Sequence, residues 1–289
     1  MPETTQVEIG TVASLWRYPV KSMMGEELQN AQVTDRGLIG DRAYALIDGV
    51  DGKVATAKYP GKWPMLFACR ATFLELPRSD GYAPPVRITL PDGQTVTSTQ
   101  QDCDQVLSTA LTRQVSLAVM AQGRITGAPS SLPPSWTAKS EEYWPDLEGL
   151  QHRDTVTEFA LPAGTFFDGA TVHLVTIATL NRLRDWYPQG RFEVPRFRPN
   201  IVLESAEEEG GMVEQTWIGL TLAIGDDVGL RITGPCGRCV MTTLAQGDLP
   251  KDGGILRTAT QRAQGHVGVY AEVMQGGAIR RGDHVRRLR

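Results

Sequence analysis

The sequence predicts a mainly β chain of the α+β class with few helices, and three observations carry that prediction. Short apolar runs with strand alternation recur along it: Val86, Ile88 and Leu90; then Leu220, Leu222 and Ile224; then Val267, Val269, Ala271 and Val273. The 30 glycines and 18 prolines among 289 residues punctuate these runs with turns. Only two stretches show helical spacing: Val106, Leu107, Ala110 and Leu111 behind a cap at Asp104, and Ile177, Leu180 and Leu183 between a cap at Thr176 and a stop at Pro188. Strands at this spacing, joined by Gly and Asp turns, fit a barrel or a sandwich.

Taken in order, Val7, Ile9 and Thr11 alternate and run through Leu15 and Trp16 to Pro19, which ends the ladder and presents Lys21 and Ser22 at a turn. Gly37 and Gly40 make a tight connection into the Ala43–Asp48 strand. Arg42 at its head is equally readable as a partner of Asp41 or as a fork for phosphate. Hairpin turns follow at Asp48–Gly52 and Pro91–Gly93. An N-terminal β-rich unit spans 1–120. Residues 121–155 carry Pro129, Pro133 and Pro134 with Trp136, Tyr143 and Trp144, and read as a long loop or lid. A second unit spans 156–289. In it, His173 lies on a strand leading to the Thr176 cap, where an anion is favoured. Arg196 and Arg198 are expected to share a strand face before Asn200, and Glu207–Gly211 to form an exposed loop.

A net charge of −4 excludes a global basic field for nucleic acid or anionic lipid, but leaves room for a local cation cluster. Met1–Gln6 is polar and acidic, unlike a signal or transit peptide, and no apolar run approaches bilayer length. The 4 cysteines are too sparse for a disulfide framework, so a reducing cytoplasm is expected, with no membrane and no nucleic acid among the partners.

Two of those cysteines stand in Gly234-Pro235-Cys236-Gly237-Arg238-Cys239-Val240-Met241-Thr242-Thr243. Structural zinc needs a second pair at similar spacing, and Cys69 and Cys103 are isolated. A thioredoxin-type pair needs a helix start in a βαβ setting, which strands and turns do not supply. Two readings remain open: a plain turn with two buried thiols, or a single thiolate ligand to a soft metal. In the second, Arg238 lowers the pKa of Cys239, and Thr242 and Thr243 stand behind it.

The chain resembles the MOSC-domain family, in the subgroup with an additional N-terminal β-barrel domain typified by amidoxime reducing components. The motifs are Tyr18-Pro19-Val20-Lys21-Ser22, Gly40-Asp41-Arg42, Phe197-Arg198-Pro199-Asn200, Pro235-Cys236-Gly237-Arg238-Cys239 with Thr242-Thr243, and Val267-Gly268-Val269-Tyr270-Ala271. The resemblance implies an N-terminal β-barrel-like domain packed on a C-terminal MOSC barrel. It also implies a molybdenum cofactor of the molybdopterin type, with Cys239 as metal ligand and Cys239 and Arg238 as the catalytic pair. Lys21, Ser22, Arg42, His173, Thr176, Arg198, Asn200, Cys236 and Thr242 fall where the family holds its cofactor. The chain departs from the family at Leu244–Asp248, where an Asp-Pro turn is usual, and in the 121–155 loop.

The activity implied is reduction of N-hydroxylated compounds such as amidoximes, hydroxylamines and N-hydroxylated bases. The alternative is a carrier of cofactor or of sulfur, as a persulfide on Cys239. No C-x₄-C-x₂-C pattern is present for an iron–sulfur cluster. Electrons are therefore expected from separate proteins, a ferredoxin/flavin or cytochrome b5-type reductase chain.

Overall fold

The computed structural model describes residues 7–121, 124–133, 135–145, 154–206 and 211–288. The expectations for Met1–Gln6, Pro134 and Glu207–Gly210 lie outside the described residues. The fold is mainly β, with four α-helices among the described residues: Cys103–Ala110, Ile177–Trp186, Val194–Phe197 and Gly253–Ala263.

Seven strands close a barrel. Around the wall they run Val7–Arg17, His284–Leu288, Thr221–Ile224, Val228–Gly237, His266–Gln275, Val172–Thr176 and Ile201–Ser205, and the last pairs back to the first. All neighbours are antiparallel except Val172–Thr176 with Ile201–Ser205, which are parallel and joined through the Ile177–Trp186 helix. Closure removes the exposed edges an open sheet would leave. Ile9, Val12, Leu15, Leu174, Ile201, Leu203, Leu222, Leu230, Val269 and Val285 fill the interior. Val175 and Val202 point outward under Leu180, Leu183, Ile255 and Ala259 of the covering helices. Val172–Thr176 is thus buried on both faces and lacks the polar alternation of a half-exposed strand.

The first strand turns Ile9, Val12 and Leu15 inward, a spacing of three where period-2 reading expects Ile9 and Thr11 together. Register shifts between Glu8 and Gly10 and between Val12 and Ser14 reset the phase. Gly10, at φ +151°, is required at the first shift, because a Cβ there would stand 2.1 Å from the Glu204 carbonyl oxygen.

Glu26–Leu28 pairs on this strand and Asn30–Thr34 pairs with Gly277–Arg280; the N-terminal residues that follow form a second β-rich unit. Tyr44–Asp48 pairs with Val115–Ala121, and Arg70–Phe73, Val86–Thr89 and Thr95–Thr97 form a meander. The Cys103–Ala110 helix packs Leu107 into the core they share with Tyr44, Leu46 and Ile88. Its cap position is Asp102. Asp104 sits inside the first turn, and its carboxylate accepts from the Leu117 N–H at 2.8 Å, away from the cap it was expected to fill. The stretch 121–155, expected as a loop, contains the strand Lys139–Trp144, which pairs with Thr155–Ala160. Its sequence, Lys-Ser-Glu-Glu-Tyr-Trp, has no apolar alternation to announce a strand. Ion pairs from Glu141 to Lys53 and Lys62, at 2.8 and 2.7 Å, hold it to the N-terminal unit.

The two units meet at a buried polar node. Asn200 Nδ2 donates to Asp41 Oδ2 at 2.8 Å, and Asn200 Oδ1 accepts from the His173 N–H at 3.1 Å. Asp41 Oδ1 accepts from the Tyr18 N–H at 2.8 Å, Arg42 pairs with Asp41, and the Tyr18 hydroxyl donates to the Pro199 carbonyl at 3.1 Å. Replacing Asn200 by Ala strips partners from a buried carboxylate and a buried N–H. Each unsatisfied group costs about 1–3 kcal/mol. Chemical denaturation of Asn200→Ala is expected to show a loss in that range or above with an unchanged m-value.

Candidate active site: a thiol at the head of a basic cleft

A cleft of about 570 Å³ opens where the barrel end meets the N-terminal unit. Lys21, Ser22, Arg42, His173, Arg198, Asn200, Cys236, Arg238, Cys239 and Thr242 all line it. Local backbone turns bring the first of these in: Ser22, Arg42 and Arg198 each adopt the left-handed region, at φ 63°, 48° and 53°. Arg42 and Arg198 both stack on the Tyr18 ring, 4.6 and 4.1 Å from its centroid. Burial, with the neighbouring Arg42 charge second, pushes the Arg198 guanidinium down to about 10.

The cysteine loop leaves the barrel through irregular pairing. Register shifts occur between Ile232 and Gly234 and between Pro235 and Gly237, so the strand bends as it reaches Cys236. Cys236 is buried and Cys239 is half-buried. Arg238 donates to the Phe197 carbonyl at 2.9 Å, to the Gly237 carbonyl at 3.0 Å, and to Cys236 Sγ. It therefore braces the loop. The Cys239 thiol is pushed up from its ordinary pKa, because burial outweighs the opposing charge of Lys58, while Arg238 contributes less. Arg238 does lower the pKa of this thiol, as expected, but less than Lys58 does, and burial leaves the net shift upward.

His173 is buried, and its Nε2 faces the Val267 carbonyl at 3.3 Å. Carbonyls only accept, and the Val267 and Arg198 backbones both favour a protonated ring nitrogen. Burial, with Arg238 second, holds the ring well below the usual imidazole range, hence neutral. Gly268 makes room for it: at φ +80°, a Cβ would lie 2.4 Å from His173 Nε2.

Other expectations are redirected. Thr176 is absent from the cleft wall. Its hydroxyl accepts from the Thr179 N–H at 3.1 Å and donates to the buried Glu214 carboxyl at 2.7 Å, so it is a helix cap and no more. Arg196 and Arg198 do not share a strand face, since Val194–Phe197 is a helical turn. Arg196, 1% exposed, donates to the carbonyls of Arg191, Thr242, Leu244 and Pro250 and so buttresses the cysteine loop. The Thr242 and Thr243 hydroxyls donate back to the Cys239 and Val240 carbonyls at 3.0 and 2.7 Å, not to sulfur.

Sequence reading missed Lys58, Asp168 and Glu142, all of which line the cleft. Lys58 Nζ lies 3.2 Å from Asp168 and 3.4 Å from Glu142, and Asp168 also pairs with Lys21. Burial opposes the Lys58 charge, but Asp168, Cys239 and Glu142 together outweigh it and hold the ammonium above its ordinary range. Asp168 is held well below the carboxylate range, Lys21 and Lys58 overcoming the effect of burial. These residues are far apart in sequence, and only Phe166-Phe167-Asp168 after a turn offered any signal.

Family models match most of the chain. The MOSC domain matches residues 163–286 and the MOSC N-terminal beta barrel domain residues 9–124. The chain belongs to the MOSC-domain family. It is 27% identical over 263 residues to mitochondrial amidoxime reducing component 2 of Rattus norvegicus, across 82% of this chain and 67% of that protein. It is 26% identical over 248 residues to mitochondrial amidoxime-reducing component 1 of Mus musculus, across 82% of this chain and 66% of that one. The chain thus spans about two thirds of the length of these relatives. The crystal structure of the YUAD protein from Bacillus subtilis overlaps 98% of this chain and 97% of its own at 10% identity and a TM-score of 0.47, too loose a match to argue from. Family and relatives together support a molybdenum-cofactor-binding MOSC protein and, at the level of activity, an oxidoreductase.

The donor set fits such a cofactor. Among the described residues no group of three or more His, Cys, Asp or Glu side chains is arranged to hold a bare metal ion. Cys239 is the half-buried soft donor, and Lys21, Arg42, Lys58, Arg198 and Arg238 outnumber Glu142 and Asp168 around it. A metal that brings its own organic, anionic ligand suits one thiol in a basic cleft. No helix among the described residues is long and apolar enough to cross a membrane.

In the metal-free protein, iodoacetamide is expected to alkylate Cys239 slowly at neutral pH and faster as pH rises, because the thiol is pushed up. Lys58→Gln removes the chief opposing cation and shifts the profile further toward alkaline pH. Glu142→Gln removes an opposing anion and shifts it the other way. Mass spectrometry with Cys239→Ser as the control reads both shifts, and shifts of the same sign would overturn the assignment.

Proposed function

We propose that this protein is a molybdenum-cofactor-dependent reductase of N-hydroxylated compounds, amidoximes, hydroxylamines and N-hydroxylated bases among them, fed by separate electron-donor proteins in the cytoplasm. The observation that carries the reading is a single half-buried thiol in a cleft whose other charged walls are mostly cations. The names of the two relatives, amidoxime reducing components, support the substrate class.

In this reading Cys239 Sγ holds the metal, and Arg42, Arg198, Lys21 and Ser22 face the anionic part of the cofactor, with Asn200 and neutral His173 shaping the floor. Arg238 keeps the cysteine loop rigid and Cys236 is auxiliary. The bound cofactor supplies two-electron redox chemistry. Reduction of N–OH to N–H takes up two electrons and two protons and releases water. Lys58 Nζ, charged and paired with Asp168 and Glu142, would supply positive charge beside the departing oxygen, and Asp168 keeps it oriented. The electron donors are small ferredoxin/flavin or cytochrome b5-type partners.

Cofactor-loaded protein supplied with a chemical electron donor is expected to convert benzamidoxime to benzamidine. Lys58→Met is expected to slow turnover by about a hundredfold or more at unchanged metal content. A loaded wild type that reduces no N-hydroxylated compound would contradict the reading. Persulfide on Cys239 in that same preparation would point to sulfur delivery instead.

A further inference from the structure

One wall of the cleft comes from outside the barrel. Glu142, Tyr143, Trp144 and Pro145 reach it from the Lys139–Trp144 strand, whose position is set by several independent contacts. Ser140 Oγ donates to the Val54 carbonyl at 3.0 Å, the Tyr143 N–H donates to the Lys58 carbonyl at 2.9 Å, and Glu141 is paired with both Lys53 and Lys62. Tyr143 stacks on Tyr59 with 9° between the rings. The strand is therefore a fixed strap against the N-terminal unit.

On this strap Trp144 is unusual. Its side chain is large and apolar, yet the residue is 46% exposed. Its indole N–H donates to Thr157 Oγ1 on the paired strand at 2.8 Å, which fixes the ring across the hairpin. An indole held in place at the rim of a cleft offers a fixed planar apolar face to a bound ring. Glu142, two residues back on the same strand face, pairs with Lys58 and lines the cleft with Cys239. Trp144 follows about 7 Å along the strand and lines the same cleft as the thiol. Arg42, Arg198 and Arg238 line that cleft from other parts of the chain, so the indole is an aromatic surface beside those cations.

We infer that Trp144 is a specificity-determining stacking platform, which selects planar aromatic or heteroaromatic N-hydroxylated substrates over small aliphatic ones. The inference rests on the reductase reading for its kinetic arm and on the platform alone for its binding arm. Stacking on an aromatic side chain, measured by truncation to alanine, corresponds to about a fivefold loss or more.

The kinetic arm compares kcat/KM for benzamidoxime and acetamidoxime on cofactor-loaded wild type, Trp144→Phe and Trp144→Ala. The ratio of the two is expected to fall about fivefold or more in Trp144→Ala, through KM for the aromatic compound, and to recover in Trp144→Phe. An unchanged ratio in Trp144→Ala would overturn the platform, as would equal losses for both compounds. The binding arm titrates full-length protein with benzamidine and with acetamidine, and follows tryptophan fluorescence. Quenching by benzamidine alone, lost in Trp144→Phe, supports the platform even where no turnover is seen; no quenching by benzamidine contradicts it. Failure of turnover with both amidoximes counts against the reductase reading and leaves the binding arm to decide the platform.

Discussion

The hydrogen bond between Asn200 Nδ2 and Asp41 Oδ2 is the contact on which the rest of this architecture depends. Both side chains are almost wholly buried, and each is shared. Asn200 also accepts from the His173 backbone, while Asp41 also accepts from the Tyr18 backbone and pairs with Arg42. One node therefore fixes the start of the N-terminal unit, the strand that carries His173 and the turn that carries Arg198. A buried carboxylate deprived of its partners costs several kcal/mol, so these segments hold together or fail together.

From that node the cleft acquires two chemically different sides. Arginines 42 and 198 rest on the Tyr18 ring and make a basic wall. Elsewhere in the cleft, Lys58 pairs with Asp168 and Glu142, and Lys21 pairs with Asp168, so two cations balance two carboxylates. Burial lowers the Lys58 pKa, and Asp168, Cys239 and Glu142 more than reverse this. Cys239 feels Lys58, Glu142 and Arg238, with burial dominant. A thiol so placed is poorly nucleophilic by itself and better suited to a metal that displaces its proton.

Much of the fold was legible in sequence because it rests on local rules. The Val86–Leu90 hairpin, the Thr176 cap and the helix ending before Pro188 follow from alternation, capping and the missing proline N–H. The motifs around Tyr18, Asp41, Arg198 and Cys239 were legible as a set, and the cleft gathers Lys21, Ser22, Arg42, Arg198, Asn200 and Cys236–Cys239 from them. What escaped depends on contacts between distant residues. Bulges shift the inward face of the first strand from Thr11 to Val12, and nothing in the local pattern marks them. Lys58, Glu142 and Asp168 belong to three separate segments and acquire meaning only when folded together. Arg196 looked like a ligand for anions, yet carbonyls from the cysteine loop satisfy it. Thr176 is drawn away by Glu214, a carboxyl whose burial the sequence did not announce.

The central claim is that Cys239 holds a cofactor-borne molybdenum. Plasma mass spectrometry on protein purified from a host that makes molybdopterin, wild type beside Cys239→Ser, tests it most directly. The account predicts near-stoichiometric molybdenum in the wild type and its loss in a variant that remains folded. Wild-type protein without molybdenum, or with zinc in its place, would contradict it.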